Sequence, residues 1–173
     1  MLTLLLLRHA KAEPGRATLA DQDRSLAPRG KMDAPKLGRF IAREKLVPDL
    51  VLCSSARRTR ETWALVEPEF GAAVEMHFEP GIYEATTARL LAIVRRTPPM
   101  VKRLMLIGHN PGLEELTDDL MGVGDANSEA SHRLSEKYPT AGLAVLEFAH
   151  DQWARVTPRS SRLVAFTAPK YLD

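Results

Sequence analysis

The sequence predicts an α/β protein: a three-layer α/β/α sandwich around a mostly parallel central sheet, in a single domain covering residues 1–173. Three observations carry this expectation. The chain opens on a short apolar run, residues 1–7, that stops abruptly at Arg8-His9, as a strand buried on both faces would. Apolar runs at 46–53 and 101–108 then alternate with segments of helical period, the order expected of parallel strands joined by crossover helices. Finally, these runs end in chemically capable residues (Arg8-His9, Ser54-Ser55-Ala56 and Gly108-His109), and open α/β sheets bind ligands at the carboxyl ends of their strands.

Taken in order, residues 11–26 contain Pro14, Gly15 and several charges without hydrophobic period, and read as a loop of active-site type. Pro28-Arg29-Gly30 opens a helical pattern with Leu37, Phe40 and Ile41 on one face; Pro35 inside it should kink or loosen it, because proline lacks the N–H. Residues 50–53 form a second strand. Small hydroxyl residues follow, suited to capping a helix over 57–66. That helix carries Arg57, Arg58 and Arg60 in its first turns, where the helix dipole disfavours cations, a small cost that makes sense beside an anion.

Residues 74–78 are a third strand, and 81–85 a loop into a helix over 88–96 with Leu90, Leu91 and Val94 on one side. Pro98-Pro99 breaks the chain before the strand 101–108, and Asn110-Pro111-Gly112 opens a helix over 113–121. Residues 122–138 read as polar and loose. The runs 143–148, 153–156 and 163–166 suggest a closing meander at the sheet edge.

Charge and composition narrow the classes. Positive and negative residues are interspersed at a net charge of +2, which argues against a nucleic-acid tail or a polybasic membrane patch. No segment approaches the ~20 apolar residues of a membrane span. Cys53 is the single cysteine, so no internal disulfide is available and a cytoplasmic location is expected. The histidines are scattered without metal-ligand spacing, so no metal and no cofactor is expected. A cysteine phosphatase needs Cys-x5-Arg, and counting from Cys53 that position holds Thr59.

If the three strand ends converge, Arg8 and Arg58 supply planar forks for phosphate oxygens, with His9 and His109 as nucleophile or charge stabiliser. At these residues the sequence resembles the histidine phosphatase superfamily, in its small SixA-type phosphohistidine phosphatase branch with a phosphoglycerate-mutase-like fold. The resemblance rests on Leu-Leu-Arg-His-Ala at 6–10, the segment 23–30, Ser54 to Thr62, Ile82-Tyr83-Glu84-Ala85 and Ile107 to Glu115, and it extends through the tail. It implies that His9 is the nucleophile that becomes phosphorylated and that Arg8 binds phosphate. The pattern Ser54-x-x-x-Arg58-x-x-x-Thr62 implies that Arg58 is the second phosphate-binding arginine, and His109 matches the second pocket histidine. Ala10 stands where the wider superfamily more often has glycine; the SixA branch also carries Arg-His-Ala.

Glu84 matches the glutamate that larger members hold near the leaving group; it reads equally as an acid placed at a helix start, and Glu13 is a weaker candidate. The implied substrate is a phosphohistidine, for instance on a phosphotransfer protein of a signalling relay. The alternatives are a small phosphate ester, favoured if the loops 11–26 and 122–138 close as a lid, and a phosphate-binding module without turnover. Arg24 and Arg29 read as loop and helix-surface charges, and His77, His132 and His150 as surface or strand-end residues.

Overall fold

A computed structural model describes residues 1–122 and 128–172. It contains one six-stranded sheet in the order β3-β2-β4-β1-β5-β6. The strands are β1 (Leu2–Arg8), β2 (Leu50–Cys53), β3 (Glu75–Phe78), β4 (Arg103–Gly108), β5 (Leu143–Phe148) and β6 (Ser161–Thr167). The helices are α1 (Pro28–Arg43), α2 (Arg57–Val66), α3 (Thr87–Arg95), α4 (Gly112–Leu120) and α5 (Glu129–Glu136). β1, β2, β3 and β4 run parallel, whereas β5 pairs antiparallel with β1 and β6 antiparallel with β5.

The layers follow from the side-chain alternation of β1. Leu2, Leu4 and Leu6 pack into one apolar core with residues of α3 and α4, while Leu5 and Leu7 pack into another with α1 and α2. All five leucines are fully buried. At about 1.5–3 kcal/mol for burying each such side chain, this strand is pinned from both sides. The continuous apolar run at the start of the chain is therefore required by burial on two faces.

Several expectations need correction. Residues 122–138 are not loose throughout: α5 lies within them, capped by the Ser128 hydroxyl, which accepts from the Ser131 N–H, and Leu134 faces the core. Residues 123–127 fall outside the described residues. Residues 153–156 do not form a strand; Trp153–Arg155 is a single 3-10 turn, held because the buried indole N–H donates to the Val101 carbonyl at 2.6 Å. The rest of the expected meander is present: β5 and β6 pair antiparallel, with β6 at the sheet edge. α1 continues unbroken past Pro35, one side of it sealed by Leu37, Gly38 and Ile41. Neither hydroxyl residue of the 54–56 turn caps α2: its N-cap is Ala56, without a side-chain bond, and Ser54 lies against His109.

Gly30 marks the tightest approach between α1 and the site. A Cβ there would sit 2.1 Å from the carbonyl oxygen of Lys11, two residues beyond His9. In an open helix, glycine to alanine gains about 1 kcal/mol. Here Gly30→Ala should instead cost roughly 1–3 kcal/mol through overpacking, lowering Tm by about 2–4 °C for each kcal/mol. A thermal melt in which Gly30→Ala raises Tm would refute the close approach.

Candidate active site

The carboxyl ends of β1, β2 and β4 converge at one edge of the sheet, as their parallel registers require. Arg8 closes β1 directly opposite Gly108, the last residue of β4. His9 follows, with its N–H donating to the Gly108 carbonyl at 3.0 Å and its carbonyl accepting from the Ala141 N–H at 2.9 Å. The nucleophile candidate is thus fixed by backbone on both sides. Its ring lies 5.3 Å from that of His109, centroid to centroid.

The turn after β2 explains the spacing of the Ser54–Thr62 motif. The Thr62 hydroxyl accepts from the Ala10 N–H at 3.0 Å and donates to the Arg58 carbonyl at 2.7 Å, tying the β1 end to the turn of α2 that carries Arg58. The Thr59 hydroxyl lies 2.8 Å from the carbonyls of both Ser54 and Ala56 and closes the turn. Ser54 Oγ sits 2.7 Å from His109 Nε2. Arg57 and Arg60 are exposed flankers, as expected: Arg57 pairs with Glu61, and Arg60 donates to the Ser55 carbonyl.

Hydrogen bonding fixes the state of His9. Its Nδ1 lies 2.8 Å from the Ala10 carbonyl, which can only accept. Nδ1 therefore carries the proton, and Nε2 keeps a free lone pair in the neutral ring. Burial, together with the positive charges of Arg58 and Arg8, lowers the His9 pKa to about 3. Burial and Arg58 lower that of His109 to about 4. When Ser54 donates its hydroxyl proton to His109 Nε2, the remaining ring proton sits on Nδ1, a nitrogen without a protein partner among the described residues.

The two arginines are held by their ends. Arg8 Nη1 donates to the Tyr138 carbonyl at 2.9 Å, and burial lowers the guanidinium's pKa. Arg58 is 6% exposed, which for a cation requires partners. Its partner is Asp21, whose carbonyl takes Nη1 at 2.8 Å and whose carboxylate takes Nη2 at 3.1 Å.

Asp21 escaped the sequence reading altogether. It sits in a 3-10 turn, Asp21–Asp23, of the loop 11–26 and also accepts from Arg24 at 2.9 Å and from the Tyr83 hydroxyl. Those donors hold its pKa well below the usual carboxylate range, Tyr83 first and Arg24 second. Burial and the neighbouring carboxylate push Tyr83 up to about 12. The only hint in the sequence was a pair of aspartates beside Arg24, in a stretch with no periodicity to say where it folds. Arg24, read as a mere loop charge, braces this loop by also donating to the Glu13 carbonyl at 2.9 Å. Arg29 is a helix-surface charge, paired with Asp33.

Glu84 lies on the wall of a cavity of 540 Å³ that also contains Asp21, Arg58, Tyr83 and His109. Its backbone is left-handed at φ 51°, and its side chain is exposed. Glu13 does not line this cavity. Cys53 is buried, its thiol pushed up to about 12 by desolvation, and it packs behind the sheet edge as a core residue. Among the described residues no group of three or more His, Cys, Asp and Glu is placed to hold a metal ion, and no helix is long and apolar enough to cross a membrane.

A mostly parallel sheet that gathers two histidines and two arginines at its carboxyl edge defines a class of phosphoryl-handling α/β domains, and comparison assigns the family within it. The chain belongs to the histidine phosphatase superfamily: the family's branch 1 profile matches residues 4–90, a span containing Arg8, His9, Arg58 and Glu84. An uncharacterized protein of Mycobacterium tuberculosis (strain H37Rv) is 34% identical over 165 residues, covering 95% of this chain and all of that one. The crystal structure of a candidate phosphohistidine phosphatase SixA from Agrobacterium tumefaciens superposes with a TM-score of 0.79 at 29% identity, covering 97% of this chain and 98% of that one. A second SixA candidate, from Nakamurella multipartita, gives 0.80 at 28% identity, with 97% and 96% covered. These likenesses support a phosphohydrolase with the phosphoglycerate-mutase-like fold.

The depressed histidine pKa values predict how stability varies with pH. Folded, His9 and His109 stay neutral down to about 3 and about 4, against 6.5 for the unperturbed group. Between those values the unfolded chain binds more protons, so the contribution to stability is full above about pH 6.5 and is lost as pH falls. Tm measured from pH 7 to 4 should decline, and His9→Asn and His109→Gln should each flatten the decline. Slopes identical to wild type would contradict the buried neutral state.

Proposed function

We propose that the protein is a phosphatase working through a phosphohistidine intermediate at His9, with phosphohistidine on a phosphotransfer protein as its substrate. The observation carrying this reading is the state of His9: an imidazole kept neutral chiefly by burial, with Nδ1 committed to the Ala10 carbonyl and its ring beside that of His109. In this reading Nε2 attacks phosphorus in line, the bond to the leaving group breaks, and its electron pair departs with that group. Arg8, Arg58 and His109 hold the three equatorial oxygens as charge develops on them. Water then attacks phosphorus, the N–P bond breaks, and the pair returns to His9 Nε2, with the water's proton passing to the phosphate released.

The leaving group decides how much acid catalysis is needed. A phosphohistidine whose other ring nitrogen carries a proton leaves as neutral imidazole, whose conjugate acid has a pKa near ~6.5, so no acid need protonate the departing nitrogen, whereas a departing alkoxide needs one. Glu84 is exposed on the cavity wall and has no hydrogen-bond or ionic partner among the described residues to orient it. That favours an N–P substrate over an unactivated ester. The second reading, a small phosphate ester, draws support from the loop 11–26, which reaches over Arg58 and Tyr83 through Asp21.

Alkaline-quenched mass spectrometry tests the reading. Incubation with a phosphohistidine-bearing phosphotransfer domain should leave phosphate on His9, and His9→Ala should leave none. Arg58→Ala should lower kcat/KM by roughly 10²–10³, as loss of one preorganised donor does elsewhere. Phosphate appearing on His9 only from p-nitrophenyl phosphate would decide for the ester reading, and Glu84→Gln would then lower kcat.

A further inference from the structure

The cavity is charge-segregated, and this has a consequence for the group that leaves. Its lining includes three carboxylates, Asp21, Glu84 and Glu115, against one guanidinium, that of Arg58. Arg58 and Arg24 neutralise Asp21. Glu84 and Glu115 form no ion pair among the described residues; Glu115 accepts only a 3.4 Å hydrogen bond from Thr87. The remaining wall is mixed, with Ile82, Leu90 and Leu113 beside Tyr83, Thr86, His109 and Asn110. Arg8 and His9 do not line this cavity, so in the proposed mechanism the phosphoryl group held by Arg8, Arg58 and His109 reaches it on the side of Arg58 and His109. The group it is attached to then faces two carboxylates and apolar surface, with no free cation lining the cavity among the described residues.

We infer that this cavity selects substrates by leaving-group charge, accepting neutral or cationic groups and disfavouring those with a second negative charge, and that Glu115 is one of the residues that set this preference. The inference rests on the phosphatase reading above and deepens it. Imidazole and imidazolium fit this wall. The leaving alcohols of bisphosphates and of phosphorylated hydroxy acids do not, because their anionic groups meet the like charge of Glu84 and Glu115. Screened as in bulk water, as suits exposed carboxylates, charges about 4–8 Å apart interact by roughly 0.5–1 kcal/mol, so each carboxylate contributes a discrimination of roughly 2–5-fold. Exposure makes the effect salt-dependent.

Two measurements on the full chain test this. In the first, kcat/KM is compared for phenyl phosphate, 3-carboxyphenyl phosphate and 3-(trimethylammonio)phenyl phosphate, in wild type, Glu115→Gln and Glu115→Lys. The readout is the ratio between substrates within each protein, so a general loss of activity cancels. The carboxylated ester should gain on phenyl phosphate by roughly 2–5-fold in Glu115→Gln and by roughly tenfold in Glu115→Lys, with the ammonium ester moving the other way and both effects shrinking in 0.5 M salt. The second is calorimetric binding of phenylphosphonate and its 3-carboxy derivative, which requires no turnover and should follow the same order. Ratios unchanged between wild type and both variants, or wild-type preference for the carboxylated ligand, would overturn the inference while leaving His9 phosphorylation intact. Charge-ordered phosphonate binding without phosphate ever appearing on His9 would instead overturn the phosphatase reading and leave charge selection standing.

Discussion

Burial of β1 on both faces is the constraint on which the rest depends. Five leucines enter two separate cores, so the strand can neither slide nor rotate without exposing apolar surface on one side. Its neighbours β4 and β5 hold it laterally, one parallel and one antiparallel. Where the apolar run ends, the chain leaves the sheet, and the first residue beyond it is His9, held by backbone bonds to Gly108 and Ala141. A side chain there inherits the rigidity of the sheet while standing at its mouth. Thr62 extends the same rigidity to Arg58 by joining the Ala10 N–H to the carbonyl of Arg58 itself.

Electrostatics complete the site. Two guanidiniums and two imidazoles brought together would repel if all were charged, and burial resolves this by keeping both imidazoles neutral. In the proposed mechanism an arriving phosphoryl group therefore meets cations beside an imidazole whose lone pair is free. Asp21 stabilises the buried charge of Arg58 from outside the motif, and in doing so it ties the loop 11–26 to the site through Arg58, Arg24 and Tyr83. In the proposed mechanism the arginines serve the group that is transferred, and Glu84 and Glu115 face the group that leaves.

Local pattern and short spacing were enough to read the parallel strands, α1 to α4, and the sheet edge at which Arg8, His9, Arg58 and His109 gather, while Glu84 was picked out by the family resemblance. Burial on two faces leaves a continuous apolar run, and helix capping and turn geometry leave fixed intervals, so these features are written in neighbouring residues. What only the tertiary structure decided has contributions from distant segments. Asp21 lies 37 positions from Arg58 and 62 from Tyr83, in a loop without period, and nothing local encodes that meeting. The hydroxyl residues after β2 read as helix caps, yet Ser54 meets His109, which the chain delivers just after β4. Residues 153–156 looked like a strand, but the indole of Trp153 bonds to Val101 in a 3-10 turn. A sequence records which groups are present and which faces must be buried; which polar groups pair across long loops is settled only when folding brings them within hydrogen-bonding distance.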